Sequence, residues 1–356
     1  MISFLRKIRQ KLLQQKRITQ YFAYAVGEIF LVVIGILIAL YFNNLNTEKT
    51  KQKEINQLLV DIEKDLLLNY QSTNDVLEFY MVQDSIAKLI AAHKLTKADY
   101  DASHKLSYFV SNWDYLIPNE ENLKQFVESE KVVSEELKPI IISAKNILLS
   151  SSMLLDTWDN LKSNIGDNYS ALSKFTWNVK YDSISNAKRL DYMLNDPEYE
   201  AMALGYWGNT QNLYDKITRY RAQTVIMLIS IKMHKENYNK EQIINMLDSL
   251  SMNPFKEYPC ELEPKELPSL KPRRASEIYG NFTKDTVQLN LTNNMGQEII
   301  NRFVLLPMDI KIGLTSEYFG IDGDHNTLVT VLDNSGDCIK RYGAIENGYL
   351  FLEAYD

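Results

Sequence analysis

Cysteine is nearly absent from this chain, with only Cys260 and Cys338 in 356 residues. Two cysteines build no disulfide framework and have no metal-ligand spacing. Histidine is almost as scarce. His93, His104, His234 and His325 stand far apart, which excludes a local histidine metal motif. Proline is confined: five of the nine prolines crowd between Pro254 and Pro272, leaving long upstream runs without a helix breaker. A nucleophile elbow, a phosphate loop and a dinucleotide fingerprint are all missing. No catalytic residue and no cofactor is therefore assigned. Basic excess is missing as well. The chain carries a net charge of −7. Six positive charges lie in the first twenty residues, so the remainder stands at −13, which argues against nucleic acid as a partner.

What the chain does have is one long apolar run, Tyr21 to Phe42, interrupted only by Glu28. At 1.5 Å per residue it covers about 33 Å as a helix, enough for a bilayer core of roughly 30 Å. Ile29 to Phe42 shows no polar face, unlike a soluble helix. Ahead of the run lie Arg6, Lys7, Arg9, Lys11, Lys16 and Arg17 with no acid among them. By the positive-inside rule the N-terminus stays in the cytoplasm and the rest is translocated. The run ends Leu40-Tyr41-Phe42-Asn43, bulky where a cleavage site needs small residues, so the expectation is an uncleaved signal anchor. Phe4, Leu5, Ile8 and Leu12 recur at helical spacing among the bases. They fit either an amphipathic helix on the anionic inner leaflet or a basic tail that only sets topology.

Within the span, Ala23, Gly27, Gly35 and Ala39 fall on one stripe of small residues, a pattern that permits close helix contact and self-association. Glu28 lies about two turns from the cytoplasmic end. One reading is a proton or partner site in the membrane. The other is a glutamate that snorkels to the headgroups or is protonated.

The N-terminal block FLRKIRQKLLQQKRITQYFAYAVGEIFLVVIGILIALYFNNLN resembles the opening of a large family of bacterial single-span proteins known only as a domain of unknown function. The shared pattern is a basic start, then Y-A-x-G-E-I-x-L-V-V-I-G-I-L-I-A-L, then an asparagine-rich exit with Asn43, Asn44 and Asn46. Leu45 departs from the family's tryptophan and Thr47 from its acid. The strong match covers about the first 50 residues, and the helical part to about residue 235 follows more loosely. The resemblance implies a Gram-negative envelope protein and brings no activity.

Beyond Lys51 the pattern turns helical. Ile55, Leu59, Ile62 and Leu66 recur by fours and threes, and the pattern resumes at Phe79 after a polar gap at Asn69 and Thr73. That gap is either a register-setting layer or a bend. Further helices are expected over residues 103–116, 119–128, 134–161, 169–194, 196–235 and 240–251. Asp196 should cap, with Pro197 in the first turn. Trp113, Trp158, Trp177 and Trp207 either pack in the core or line a ligand pocket. The stretch PFKEYPCELEPKELPSLKPRR reads as a semi-stiff linker. From Glu277 the period becomes two, with turn clusters at hairpin spacing. Asp322, Asp324 and Asn326 loosely resemble a calcium loop, but Thr327 replaces the required glycine, so a hairpin turn is the simpler reading.

The fold expected is mainly α: a transmembrane helix, an elongated antiparallel helical bundle and a small C-terminal antiparallel β domain, barrel or sandwich. The boundaries are 1–20 cytoplasmic, 21–43 anchor, 44–252 helical domain, 253–276 linker and 277–356 β domain. Cys260 and Cys338 either pair in an oxidising periplasm or stay as thiols. The leading functional expectation is a non-enzymatic inner-membrane protein that works by interaction, as scaffold or accessory subunit. Its partners would be the lipid bilayer, a second copy or another envelope protein. A ligand sensor is the alternative, and it needs a membrane partner because only about 20 residues lie inside. A periplasmic hydrolase comes third.

Overall fold

The computed structural model describes residues 7, 18–180, 182–262, 277–292, 298–312, 328–333, 335–343 and 348–352. The chain divides into two compact units, Met1–Leu58 and Leu59–Asp356. One helix, α1 (Ile18–Ala91), enters both. Its early part is the apolar run. Its later part, from Leu59, buries the predicted stripe of Leu59, Ile62 and Leu66.

Among the described residues the second unit holds seven further α-helices. They are α2 (Lys97–Ala102), α3 (His104–Ser107), α4 (Glu121–Glu128), α5 (Lys138–Ser173), α6 (Ser183–Asn195), α7 (Pro197–His234) and α8 (Lys240–Ser249). α7 starts where local chemistry requires: the Asp196 carboxylate accepts from the Glu198 amide at 2.8 Å, and Pro197 occupies the first turn. Its stripe of Leu213, Ile217, Tyr220, Thr224, Leu228 and Ile231 is buried throughout. α8 opens on a reciprocal cap between Asn239 and Gln242. Two sets of contacts orient the long helices. Ser143 bonds Ser230, and Asn164 lies against Gly205, so α5 and α7 run antiparallel. Glu63 meets Lys232 and Asp84 meets Trp207, so α7 also opposes α1.

Two sequence expectations fail here. Residues 103–116 hold only the one-turn α3 and a 3-10 turn, and residues 112–120 run without regular structure. The expected helix over 169–194 is broken between Ser173 and Ser183. There the guanidinium of Arg189 donates to the carbonyls of Trp177, Asn178 and Lys180. In both places side chains satisfy backbone groups that helix bonds would otherwise use, from the distant Tyr80 and Tyr206 in the first and from Arg189 of the following helix in the second.

Among the described residues nine strands follow: β1 (Asn253–Pro254), β2 (Lys256–Tyr258), β3 (Ile278–Asn281), β4 (Val287–Thr292), β5 (Glu298–Leu305), β6 (Ile310–Ile312), β7 (Leu328–Leu332), β8 (Cys338–Gly343) and β9 (Gly348–Leu352). One sheet, in the order β2-β8-β7-β4-β5, is antiparallel throughout. The other, β1-β9-β3-β6, departs from the expected antiparallel pairing, because β9 pairs parallel to both β1 and β3. Parallel neighbours require a crossover rather than a hairpin, and the strands β4 to β8 supply it. Tyr279, Leu350 and Leu352 from one sheet and Leu289, Leu291 and Val331 from the other bury into one core. At Gly280 an added Cβ would meet the Phe351 ring at 2.7 Å, so only glycine admits that ring.

The stretch read as a linker begins as sheet. Pro254 sits in β1, an edge strand, where its missing N–H costs no ladder bond. Phe255 donates its amide to the Tyr349 carbonyl and buries its ring in the sheet core. Residues 263–276, the rest of that stretch, lie outside the described residues. The sheets do not hang from a tether. Tyr70 of α1, Val225 and Ile229 of α7, Ile243 and Leu247 of α8, Ile278 of β3 and Tyr349 of β9 form one continuous apolar cluster.

Candidate functional sites: an exposed apolar helix and a buried polar layer

The first unit presents its apolar run to the outside. Phe22, Val26, Ile29 to Val33, Ile36 to Ile38 and Leu40 to Phe42 are all exposed. Large apolar side chains on every face of a helix are stable only in a non-aqueous surrounding. The helix is long and apolar enough to cross a membrane. α5 is long and apolar too, but half of its apolar stretch is buried and serves the core.

Of the residues marked in the span, Gly27, Glu28, Gly35 and Ala39 are exposed on α1. Gly27 and Gly35 have open space where a Cβ would stand. Ala23 lies in the same helix. Lys7 is exposed, whereas Arg6, Arg9, Lys11, Lys16 and Arg17 lie outside the described residues.

In the second unit the polar gap at Asn69 and Thr73 is a register-setting layer. Asn69 Nδ2 donates to the Asn119 carbonyl and to the Tyr220 hydroxyl, each at 3.0 Å. Its Oδ1 accepts from the Asn119 amide at 3.0 Å. One turn earlier, Asp65 takes an amide donor on each oxygen, from Asn119 and Asn122, both at 2.7 Å. The layer ties α1, the start of α4 and α7 to a single register, because a shift of one residue would strand these groups. Replacing Asn69 with Ala orphans three partners and should cost about 2 kcal/mol. Urea unfolding of the purified chain reads it, and an unchanged midpoint would show that the layer sets nothing.

A second polar contact lies one residue further along both helices. The buried Arg221 guanidinium packs 4.5 Å from the Tyr70 ring centre and donates to the Tyr70 hydroxyl at 2.7 Å. That hydroxyl donates in turn to the Leu250 carbonyl at 2.6 Å, at the end of α8. The partial negative charge of a helix C-terminus suits a buried cation. The relay fixes where α8 hands the chain to β1.

The tryptophans are neither fully buried nor gathered in one pocket. Trp158, Trp177 and Trp207 are half-buried, and Trp113 is 48% exposed. Trp113, Tyr115 and Trp158 touch one another at the surface, with ring centres 5.3 to 5.9 Å apart. Sequence reasoning missed this cluster because it placed residues 103–116 in a helix. The one available signal was the alternation Trp113, Tyr115, Ile117 just ahead of Pro118.

Cys260 and Cys338 form a disulfide that closes a loop of sequence separation 78. The calcium-like string at 322–326 lies outside the described residues. Asp333 serves a turn: its carboxylate accepts from the Ser335 and Asp337 amides. Exposed His93 stands 3.5 Å from Glu200, and burial lowers the pKa of His234. Among the described residues no three His, Cys, Asp or Glu side chains are placed to hold a metal ion. Comparison with protein-family models, curated proteins and solved structures finds no match.

Proposed function

We propose that this chain is a single-pass inner-membrane protein that acts by interaction, as a scaffold or accessory subunit of an envelope complex. The N-terminus lies in the cytoplasm and the second unit in the periplasm. The observation that carries this reading is the wholly exposed apolar stretch of α1 ahead of a separately cored unit. The six N-terminal bases support the orientation. The Cys260–Cys338 disulfide suits an oxidising compartment. The stripe of Ala23, Gly27, Gly35 and Ala39 supports association between spans. The long helices are read as an elongated antiparallel bundle and the two sheets as a sandwich around their shared core. The resemblance of the first 50 residues to single-span envelope proteins points the same way.

Reporter fusions test the orientation. Alkaline phosphatase at the C-terminus should be active, and a fluorescent protein that folds only in the cytoplasm should stay dark there. The reverse pair of results would overturn the topology and the function built on it.

A further inference from the structure

Glu28 is the one charged residue in the apolar run of α1. It lies seven residues in from Tyr21 and fourteen from Phe42. On a helix that is about 10 Å from one end and about 21 Å from the other, inside a core of roughly 30 Å. Gly35, Ala39 and Asn46 follow at intervals of 7, 11 and 18 residues, close to two, three and five whole turns. All four therefore share one face. Each is exposed, and Gly35 has open space where a Cβ would stand. Small residues on that face let the backbone of a second helix come close. Of the positions one turn from Glu28, Ala25, Leu31 and Val32 carry no polar group and Tyr24 brings no charge. Among the described residues Glu28 makes no ion pair.

Charge selects the occupant of this face. A carboxylate in hydrocarbon is costly unless it is paired, and lipid tails offer it no donor. Snorkelling serves the long stems of lysine and arginine better than the two methylenes of glutamate. A second copy of this chain cannot supply the counter-charge. Ile18 to Asn46 holds no lysine, arginine or histidine, and a parallel copy would bring a second acid to the same depth. A helix from a different protein, bearing a base at that depth, meets both conditions: it can close on Gly35 and Ala39, and it pairs Glu28. We propose that the Glu28–Gly35–Ala39 face of α1 docks a transmembrane helix of another protein that carries a lysine or arginine level with Glu28. This rests on the membrane reading above and names the partner chemistry that the span accepts.

The test uses the full chain in phosphatidylcholine vesicles and, as probe, a synthetic leucine-rich spanning helix with one lysine seven residues from its end. Resonance energy transfer between labels on chain and probe reads association. The lysine probe should associate, and the same probe with leucine at that position roughly tenfold more weakly. Glu28→Gln should lose a similar factor toward the lysine probe. Glu28→Lys should ignore the lysine probe and take up one that bears glutamate instead. Equal association of the parent and Glu28→Gln with the lysine probe overturns the proposal, because the carboxylate would then play no part. Transfer between two copies of the chain that depends on Glu28, with no response to the lysine probe, overturns it in favour of a span that pairs with itself. Silence in every arrangement overturns it too. All three results leave the membrane reading standing. Failure of the parent chain to insert, read by extraction from the vesicles at alkaline pH, would sink that reading and the proposal with it.

Discussion

Taken above pH 10, the second unit should unfold over a narrow pH range, and the steepness comes from tyrosine. Tyr80, Tyr199, Tyr206, Tyr220 and Tyr279 are each 1% exposed or less. Burial raises the pKa of all five above the ordinary value of 10.0. Nearby groups add to it: Glu120 beside Tyr220, Glu277 beside Tyr279, Tyr80 beside Tyr206. In the unfolded chain these phenols ionise near pH 10, whereas in the folded unit they keep their protons. Above pH 10 the unfolded state therefore binds fewer protons, and stability falls as pH rises. Each group contributes about 1.4 kcal/mol per pH unit, so the five together remove about 7. A domain stable by roughly 5–15 kcal/mol does not outlast two such units.

Lys232 acts in the same direction. Burial works against its charge, but hydrogen bonds to Glu63 and Glu236 outweigh that and raise its pKa. Its contribution is complete below about pH 10.5 and disappears as pH rises through the folded value. Circular dichroism and tyrosinate absorbance should change together in one transition. Tyr206→Phe should make the pH slope shallower by about one fifth. Tyrosinate appearing gradually under an unchanged helical signal would refute the burial of these phenols.

The parts of this fold that were legible in the sequence are those with local causes. α7 announces itself through Asp196, Pro197 and an apolar stripe of constant period. β4 does so through Val287, Leu289 and Leu291, all buried, alternating with partly or fully exposed neighbours. The long apolar run of α1 needs no tertiary context at all. The illegible parts have distant causes. Residues 112–116 and 119–120 look helical until Tyr80, Tyr206 and Asn69, from two other helices, take hold of the backbone there. Pro254 looks like a spacer until β9, almost a hundred residues later, pairs with it. The polar gap in α1 could be noticed but not interpreted, because Asn119 and Tyr220, which give it meaning, lie 50 and 151 residues away. The exposed aromatic surface was hidden for the same reason, since its display follows from that captured backbone.

Removing the disulfide should be the most damaging small change to the sheets. β2 is three residues long and, among the described residues, pairs with β8 alone, with Lys256, Glu257 and Tyr258 opposite Gly343, Tyr342 and Arg341. Cys260 follows just beyond that register and bonds Cys338 at the start of β8. The bond thus closes the open end of a short edge pairing. It also cross-links residues 78 apart, and the chain-entropy relation for a loop of that size gives about 4.5 kcal/mol. Replacing both cysteines with serine should lower the unfolding free energy of the sheet region by that amount, and reduction of the parent should match it. A loss below about 1 kcal/mol would mean that the apolar cluster shared with α7 and α8 holds the sheets unaided. Alkylation of cysteines in intact cells, followed by a mobility shift, should find no reactive thiol in the exported chain and two in a chain retained in the cytoplasm. Because that cross-link forms only where oxidation is maintained, the sheet region should be more stable, by that amount, in an oxidising compartment than in a reducing one.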